Sequence, residues 1–589
     1  MLAAGLALGA SPLAVRSGHG QEDAAPAGLI ARARAALAKG DGIAAEMRLR
    51  AALDKGAARR DIAAWMGEAY LDQGDTQSAR DWLGQGRFSR DTAALGWRAM
   101  ARVEWTEGDL AAAGRAFDKA LAITPDDPEL WVDIGRLRYA GGQHTLAIAA
   151  ADHALALDAH DVPALTFKGE LVRDRYGLVG ALAWFEQAIL IRKDDVPTLL
   201  QYAATLGELD RASEAVTVTR RVLELDPGNA QAYYIQAVIA ARAGNFELAR
   251  RLLDRAGDRI TDRAGGLLMR GIVELAAGNP ATAGEALEAL LRMRPDNGRA
   301  KDLLARAIYL SGQYRYATLR FAGDVARGDA SPYLLTVLAR CHEALGERMA
   351  AGERLDAAAR PRAGVLHLVG AQTPIGQLLA RGQDAAAAQL AESALRADPG
   401  NYASLARAGD VQLALGHPRD AAERYARAAA IRMPPSLFLR RYQALVAAGE
   451  ISAARDLVEG TLQQNPTSRV TLRAAAALAI AGGDYRRAEA ILAWLRDTGA
   501  QRDVQVLSNL ALVEAGLGDP QSAQITAMQA YRLQRASPEA TQALAFAEAA
   551  LGRHRGDAQA LFDKAAAMAG PTALIAQGRA ILAEESRFR

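Results

Sequence analysis

Apolar and polar residues between Leu95 and Pro125 follow the spacing of two amphipathic helices joined by a tight turn. Trp97 and Met100 recur at helical intervals on one face of the first segment. Gly108 follows this segment, and glycine readily adopts the left-handed conformation that ends a helix. Pro125 lacks the backbone donor that a second helix would need to continue. The pattern therefore predicts a helix hairpin of about 34 residues.

The same hairpin pattern recurs along almost the whole chain. With Ala94 as the first position of one unit, the spacing stays at 34 residues for ten consecutive units and then resumes, within one residue of that value, after an irregular segment. The other units begin at Pro26, Arg60, Pro128, Val162, Val196, Ala230, Ala264, Gly298 and Pro332, and then near Leu368, Tyr402, Pro435, Arg469, Val504 and Pro538.

Small residues occupy two fixed positions of the unit. Position 8 is mostly alanine or glycine, and the turn between the two predicted helices is mostly glycine. Position 20 is alanine in fifteen consecutive units, from Ala45 to Ala523, and only Asp557 breaks the column. Because a small residue is needed where two helices approach closely, these columns predict that the helices of each hairpin cross at positions 8 and 20.

These positions resemble the tetratricopeptide repeat, whose pattern runs through Trp or Leu, Gly, Tyr, Ala, Phe, Ala and Pro. The third unit shows Trp97, Phe117, Ala120 and Pro125, and the resemblance covers roughly residues 26–570. It implies an all-α, right-handed α-solenoid of about sixteen helix hairpins. It also implies a non-catalytic scaffold for protein–protein interactions, because solenoids of this kind present long binding surfaces.

The expected organisation has five parts. The tract 361–376 contains several proline and glycine residues that disfavour a full first helix, so it is interpreted as either a hinge or a degenerate helix. The parts are a signal peptide or disordered leader at 1–25, repeats one to ten at 26–360, the irregular tract at 361–376, repeats eleven to sixteen at 377–570, and a capping helix at 571–589.

The leader bears on the compartment. Its first fifteen residues are apolar and helix-prone and are followed by a polar stretch, as in a secretory signal, although no Lys or Arg precedes the apolar run. This favours export to the periplasm. For long exported bacterial proteins, the family resemblance then implies envelope or exopolysaccharide assembly or secretion. The alternative is a cytoplasmic adaptor or regulatory protein that binds peptide segments of a partner.

Composition narrows the chemistry. The formal net charge of +2 gives no general attraction to nucleic acid, and no second stretch is long and apolar enough to span a membrane. The single cysteine, Cys341, excludes an intramolecular disulfide and is expected to be a small packing residue. No phosphate-binding glycine loop, paired metal-ligand histidines or nucleophile motif is present. We therefore expect neither enzymatic activity nor a cofactor or metal site, and the sequence does not indicate an oligomeric state.

Candidate binding residues lie on the first helices, which line the concave surface in this repeat class. Arginine with aromatic neighbours is typical of a groove for a peptide or an acidic ligand, although the same charges are also typical of a solvated groove wall. A protein or peptide partner is expected there. The candidates are Arg98, Arg102, Trp105, Arg136, Tyr139, Glu170, Arg173, Tyr234, Arg306, Tyr309 and Arg340.

Overall fold

The computed structural model describes residues 25–328, 330–359, 373–552 and 555–587. The leader predicted at 1–25 lies outside the described residues except for its last residue, as does the tract 361–376 up to residue 372. The described residues form helices and turns without strands, which confirms an all-α fold of consecutive helix hairpins. None of the described helices has the length and apolar character needed to cross a membrane.

The chain divides into two compact units, a first unit that ends at Phe167 and a second unit that begins at Lys168. The helix that contains this boundary, α9, runs over Val162–Arg175. The other helices of the first unit are α1 (Pro26–Leu37), α2 (Gly42–Asp54), α3 (Arg59–Gln73), α4 (Thr76–Leu83), α5 (Ala93–Thr106), α6 (Leu110–Leu121), α7 (Pro128–Ala140) and α8 (His144–Leu157).

The second unit continues the hairpins. Its helices, in order after α9, are α10 (Leu178–Ile191), α11 (Val196–Glu208), α12 (Ala212–Leu225), α13 (Ala230–Arg242), α14 (Phe246–Ala256), α15 (Asp258–Thr261), α16 (Ala264–Ala276), α17 (Pro280–Met293), α18 (Gly298–Leu310), α19 (Tyr314–Arg320), α20 (Ala322–Ala326), α21 (Pro332–Ala344), α22 (Arg348–Ala359), α23 (Pro374–Ala380), α24 (Asp384–Ala397), α25 (Tyr402–Ala414), α26 (Pro418–Ala429), α27 (Pro435–Ala447), α28 (Ile451–Gln464), α29 (Arg469–Ala481), α30 (Tyr485–Leu495), α31 (Val504–Gly516), α32 (Pro520–Leu533), α33 (Pro538–Leu551), α34 (Arg555–Ala569) and α35 (Ala573–Arg587).

The helices of a hairpin cross where the small residues were predicted to lie. In repeat five, Ala181 at position 20 is fully buried. A Cβ atom added to Gly169, at position 8, would lie 2.6 Å from Cε1 of Phe185. Since the Phe185 side chain is itself fully buried, the large residue at position 24 leaves room only for a very small residue opposite it. The small-residue columns therefore mark the close crossings.

Several second helices depart from the regular pattern. The second helix of repeat nine is split into α19 and α20 at Phe321, which is fully buried at the break. A short extra helix, α15, follows Gly257 at the end of repeat seven, and a π-turn over Arg496–Ala500 follows α30. The repeat pattern gave no sign of these three irregularities. The extra helix and the π-turn lie outside the positions that the repeat fixes, whereas Phe321 is the large residue expected at position 24, so its identity does not reveal the break.

Candidate functional site

The sequence-predicted arginines of the first unit lie on α5 and are ion-paired with neighbouring repeats. Arg98 donates from Nε to Oδ2 of Asp133 at 2.6 Å and from Nη1 to Oε2 of Glu129 at 3.1 Å. Arg102 donates from Nη1 to Oε2 of Glu68 at 2.5 Å. Asp133 and Glu129 belong to the following repeat and Glu68 to the preceding one. The two guanidinium groups therefore join three consecutive repeats.

Burial makes one of these ion pairs important for stability. The Glu68 side chain is only 14% exposed. Burial raises the pKa of the Glu68 carboxyl above its ordinary value, against the opposing attraction of Arg102 and Arg98. Removing either arginine would leave this carboxylate less compensated in a low-dielectric setting. The groove arginines of α5 are therefore structural groups as well as candidate contacts, which the sequence did not reveal.

The side chains of the other candidates of the first unit are partly buried against neighbouring residues. Trp105 is half-buried against the apolar core between repeats three and four. The Arg136 guanidinium lies 5.0 Å from the centre of the Phe167 ring, a cation–π distance. Tyr139 meets His144 edge-on, with the ring centres 4.8 Å apart. These three side chains are held in place and remain partly exposed.

In the second unit, the candidates contact separate partners. Arg173 donates from Nη1 to the Thr205 hydroxyl at 3.2 Å, and Tyr309 packs against Tyr314 with ring centres 5.5 Å apart. The exposed Arg340 donates to the Leu533 carbonyl oxygen at 3.4 Å.

The remaining candidates of the second unit are half-buried. Glu170 and Arg306 lie on α9 and α18, and burial raises the pKa of Tyr234 on α13. The six candidates of this unit are thus spread over the four first helices α9, α13, α18 and α21, and their positions alone do not define one pocket.

A contact between distant repeats forms a cavity in the second unit. The turn after α9 lies against the loops that precede repeats thirteen and fourteen, and we call this contact the junction. The Met433 amide donates to the Asp174 carbonyl oxygen at 3.0 Å, and Arg432 lies 3.3 Å from the Asp174 carboxylate. The Thr467 hydroxyl donates to the Glu208 carbonyl oxygen at 3.1 Å. Backbone and side-chain groups thus both hold the junction together.

The junction also supplies the missing cap of α10. The residue before α10 is Gly177, which has no side chain to accept from the first amides of the helix. Asn465 accepts the Leu178 amide through Oδ1 at 2.9 Å, and Gln464 accepts the Gly180 amide through Oε1 at 3.0 Å. A Cβ on residue 177, where φ is +127°, would collide with the Asn465 amide group. Glycine at 177 is therefore required both by its backbone conformation and by the junction.

The junction cavity has a volume of about 650 Å³. Three arginines line it, Arg173, Arg242 and Arg432, together with the carboxylates of Asp174 and Glu208. Among the sequence-predicted candidates, only Arg173 lines this cavity. Sequence reasoning missed the other lining residues because many of them lie in turns and loops, and because Arg242, at the end of α13, is not among the first-helix positions taken as candidates. Gly177 was the available signal, since it stands one place after the turn position that glycine occupies in most repeats.

Metal-ligating side chains and the single cysteine are the other groups that bear on chemistry. Among the residues that the structure describes, no group of three or more His, Cys, Asp or Glu side chains is arranged to hold a metal ion. Cys341 is fully buried, as expected of a packing residue, and burial raises the pKa of its thiol to about 11. A thiol with this pKa carries very little thiolate at neutral pH and is a poor nucleophile.

Comparisons with known proteins agree with the repeat pattern. Two family models, both described as tetratricopeptide repeat, match residues 94–137 in one case and residues 199–262 and 268–315 in the other. The first match begins at Ala94, the residue at which the sequence pattern places the start of repeat three. No curated protein matches the chain.

Solved structures are similar at low identity. PilF of Pseudomonas aeruginosa is 17% identical with a TM-score of 0.30, and the match covers 35% of this chain and 94% of that one. The Cut9–Hcn1 hetero-tetramer of the APC/C is 15% identical with a TM-score of 0.30, over 88% of this chain and 95% of that one. Human IFIT1, solved as a dimer with m7Gppp-AAAA, is 17% identical with a TM-score of 0.35, over 67% and 95%. Values at this level say nothing about what this chain binds.

Proposed function

The chain is a tetratricopeptide-repeat protein, a scaffold for protein–protein interaction, and from this premise we propose that it is an exported, non-catalytic scaffold of the cell envelope. It holds a protein or peptide partner along its first helices. The setting that we propose is the assembly or secretion of envelope components or exopolysaccharide.

One observation carries the binding proposal. Trp105, Arg136 and Tyr139 of the first unit are fixed by packing yet partly exposed on consecutive first helices. Aromatic and arginine side chains that are already held in place bind a partner with little loss of conformational entropy. Each of the three side chains keeps part of its surface exposed, which is the part that a partner would contact.

Photo-crosslinking tests this groove without altering its ion pairs. We avoid replacing Arg98 and Arg102, because their loss would leave the buried Glu68 carboxylate less compensated. A photoreactive phenylalanine analogue at Tyr139 is expected to crosslink a partner peptide. The matched control is the same analogue at Met47, which is 68% exposed on the second helix α2. Crosslinks of equal yield and identity from both positions would overturn the groove proposal.

Export is supported by the apolar, helix-prone character of the first fifteen residues and the polar stretch after them. The intact mass of the protein recovered from its native host tests this part. A mature chain that begins near Gln21 is expected. An unprocessed Met1 would contradict export and would favour the alternative, a cytoplasmic adaptor that binds peptide segments of a partner.

A further inference from the structure

Two arginines of the junction cavity have only neutral hydrogen-bond acceptors. Arg173 donates to the Thr205 hydroxyl at 3.2 Å, and Arg242 donates from Nη1 to the Gly207 carbonyl oxygen at 2.7 Å. Within the described residues, neither guanidinium forms an ion pair with a carboxylate. Neither positive charge is balanced by an adjacent carboxylate, and each guanidinium has donors beyond the one used in these bonds.

Arg469, outside the cavity lining, is close enough to Arg242 to be affected by its positive charge. Arg469 lies in sequence between Ser468 and Thr471, which both line the cavity, and it donates to the Thr498 carbonyl oxygen. Burial lowers its pKa, and the positive charge of Arg242 lowers it further, together with that of Arg473 and Arg299. Like charges from repeats that are far apart in sequence thus repel one another near the junction, and a bound anion would relieve this repulsion.

The other lining residues indicate which class of anionic ligand fits the cavity. Phe438, Met433 and Leu178 give the cavity an apolar wall beside the arginines, while the Asp174 carboxylate is paired with Arg432 and Glu208 contributes one further carboxylate. A nucleic-acid backbone needs several cationic contacts along a continuous track. A peptide with an apolar side chain next to a carboxylate matches both the apolar wall and the arginines of this cavity. Guanidinium groups bind carboxylates with two parallel hydrogen bonds.

We infer that the junction cavity binds an acidic peptide segment in which carboxylate residues alternate with apolar residues, with Arg173 and Arg242 holding the carboxylates. The apolar side chains lie against Phe438 and Met433. This site is distinct from the groove of the first unit, and it stands whether or not that groove binds a partner.

Fluorescence anisotropy on the full chain tests this inference. The probe is a fluorescein-labelled, C-terminally amidated decapeptide of alternating Glu and Leu, and its control has Gln in place of Glu. The Glu peptide is expected to bind at least about tenfold more tightly, and its affinity is expected to fall as salt is raised, because the cavity is open to solvent. Equal affinity for the two peptides would overturn the inference.

Variants assign the binding to the cavity. The double variant R173Q/R242Q is expected to weaken binding of the Glu peptide about tenfold or more, and R173K/R242K to restore part of it because the charge returns. The matched control is R221Q, which removes an exposed arginine of α12 that pairs with Asp194 and Glu224. Unchanged affinity in R173Q/R242Q, or an equal loss in R221Q, would contradict the site.

Two further measurements identify the source of the anion. A Glu–Leu decapeptide with a free C-terminus that binds no more tightly than the amidated one shows that side-chain carboxylates suffice, as we expect. Much tighter binding of the peptide with a free C-terminus would show that the cavity binds a terminal carboxylate. That result would overturn the proposal that it binds an internal acidic segment. Inorganic phosphate that displaces the peptide at concentrations near the peptide Kd would reduce the cavity to a general anion site and overturn the peptide assignment.

Discussion

Arginines of the two units look alike in the sequence and differ in electrostatic state. On α5 of the first unit, Arg98 and Arg102 are each paired with carboxylates of adjacent repeats. In the junction cavity of the second unit, Arg173 and Arg242 are bonded to a hydroxyl and a carbonyl oxygen. The first pair joins neighbouring repeats, whereas the second keeps its charge available. The chemistry of an arginine in this fold is thus decided by what the next repeat places opposite it.

The pairing follows the repeat spacing. Glu68 and Arg102 are separated by 34 residues, so they occupy the same position of consecutive repeats. Arg98 and Asp133 are 35 residues apart.

Opposite charges one repeat apart can therefore form an inter-repeat ion pair, but the spacing alone does not ensure it. Glu208 lies 34 residues before Arg242 and 35 after Arg173, and neither arginine pairs with it. An arginine that the fold leaves without a carboxylate partner is the better candidate for ligand binding.

The largest expected effect concerns Asp410, the carboxylate partner of Arg440 in the second unit. It tests whether an arginine of this unit becomes structural when a buried carboxylate lies opposite it. Arg440 donates to both oxygens of Asp410, which is 4% exposed and also accepts from the Tyr425 hydroxyl at 2.8 Å. Burial raises the pKa of Asp410 to about 6, so the folded state holds its proton at a pH where the unfolded chain has lost it.

For this carboxyl group, stability is highest when it is protonated and falls as pH rises from about 4 to about 6. The unfolding free energy is expected to drop by roughly 2–3 kcal/mol over that window from Asp410 alone. Urea denaturation at several pH values, compared between wild type and Asp410→Asn, isolates this contribution. The same pH dependence in both proteins would contradict the assignment.

Arg98→Gln breaks the ion pairs of the first unit. Because the Arg98 and Asp133 side chains are only 23% and 22% exposed, the unpaired carboxylate is expected to cost about 1–3 kcal/mol of stability. Thermal and urea unfolding of the full chain measure it. R221Q, which removes a more exposed ion pair, serves as the control and is expected to change stability much less than Arg98→Gln does. Equal effects of the two changes would remove the contrast between buried and exposed arginines.

Asn465→Ala opens the junction without touching its charges. Loss of the cap on α10 is expected to cost about 0.5–2 kcal/mol locally. Hydrogen exchange at the Leu178 amide, which Asn465 accepts, is expected to speed up accordingly. Asn229→Ala offers a matched control, because Asn229 caps α13 from its own repeat at 2.9 Å. If exchange at Leu178 were unchanged, the junction would not form in solution.

The smallest expected effect on stability is that of replacing an arginine that has no carboxylate partner. Arg242→Gln removes a guanidinium that is bonded only to a carbonyl oxygen, so no carboxylate is left unpaired. Its stability is expected to stay within about 0.5 kcal/mol of wild type, while peptide binding weakens. A loss of stability as large as that of Arg98→Gln would mean that Arg242 holds the junction together rather than binding a ligand.

The sequence predicted what each repeat does within itself. Gly169, Ala181 and Phe185 occupy fixed positions of one hairpin, so their mutual packing could be expected from the spacing. The turn of repeat six was also visible, since Asp210 stands where other repeats have glycine. It adopts φ of +64° and is the one non-glycine residue with positive φ among the described residues. Local rules suffice at such positions because all the contacting groups lie within about 34 residues.

The candidate site was predicted only in part, because it depends on distances that local rules do not reach. Arg173 was found from its first-helix position, whereas Arg242 is the last residue of α13 and Asn465 lies in the loop after α28. Their approach depends on the small rotation between successive repeats, added over many repeats, and no single residue records that sum. The split at Phe321 escaped prediction for a different reason, since its repeat keeps the expected residues at every fixed position.

The contact between Leu178 and Asn465 joins residues that are 287 positions apart, and it changes the topology of the unit. A repeat array without such a contact is a line, and it can fray inward from either end one repeat at a time. Here the repeats between the two residues belong to a closed loop. Any of them can unfold only as a tethered segment whose ends stay fixed, or after the closure itself has broken. The repeats in the middle of the second unit are therefore protected from fraying, because the closed loop that contains them has no free end.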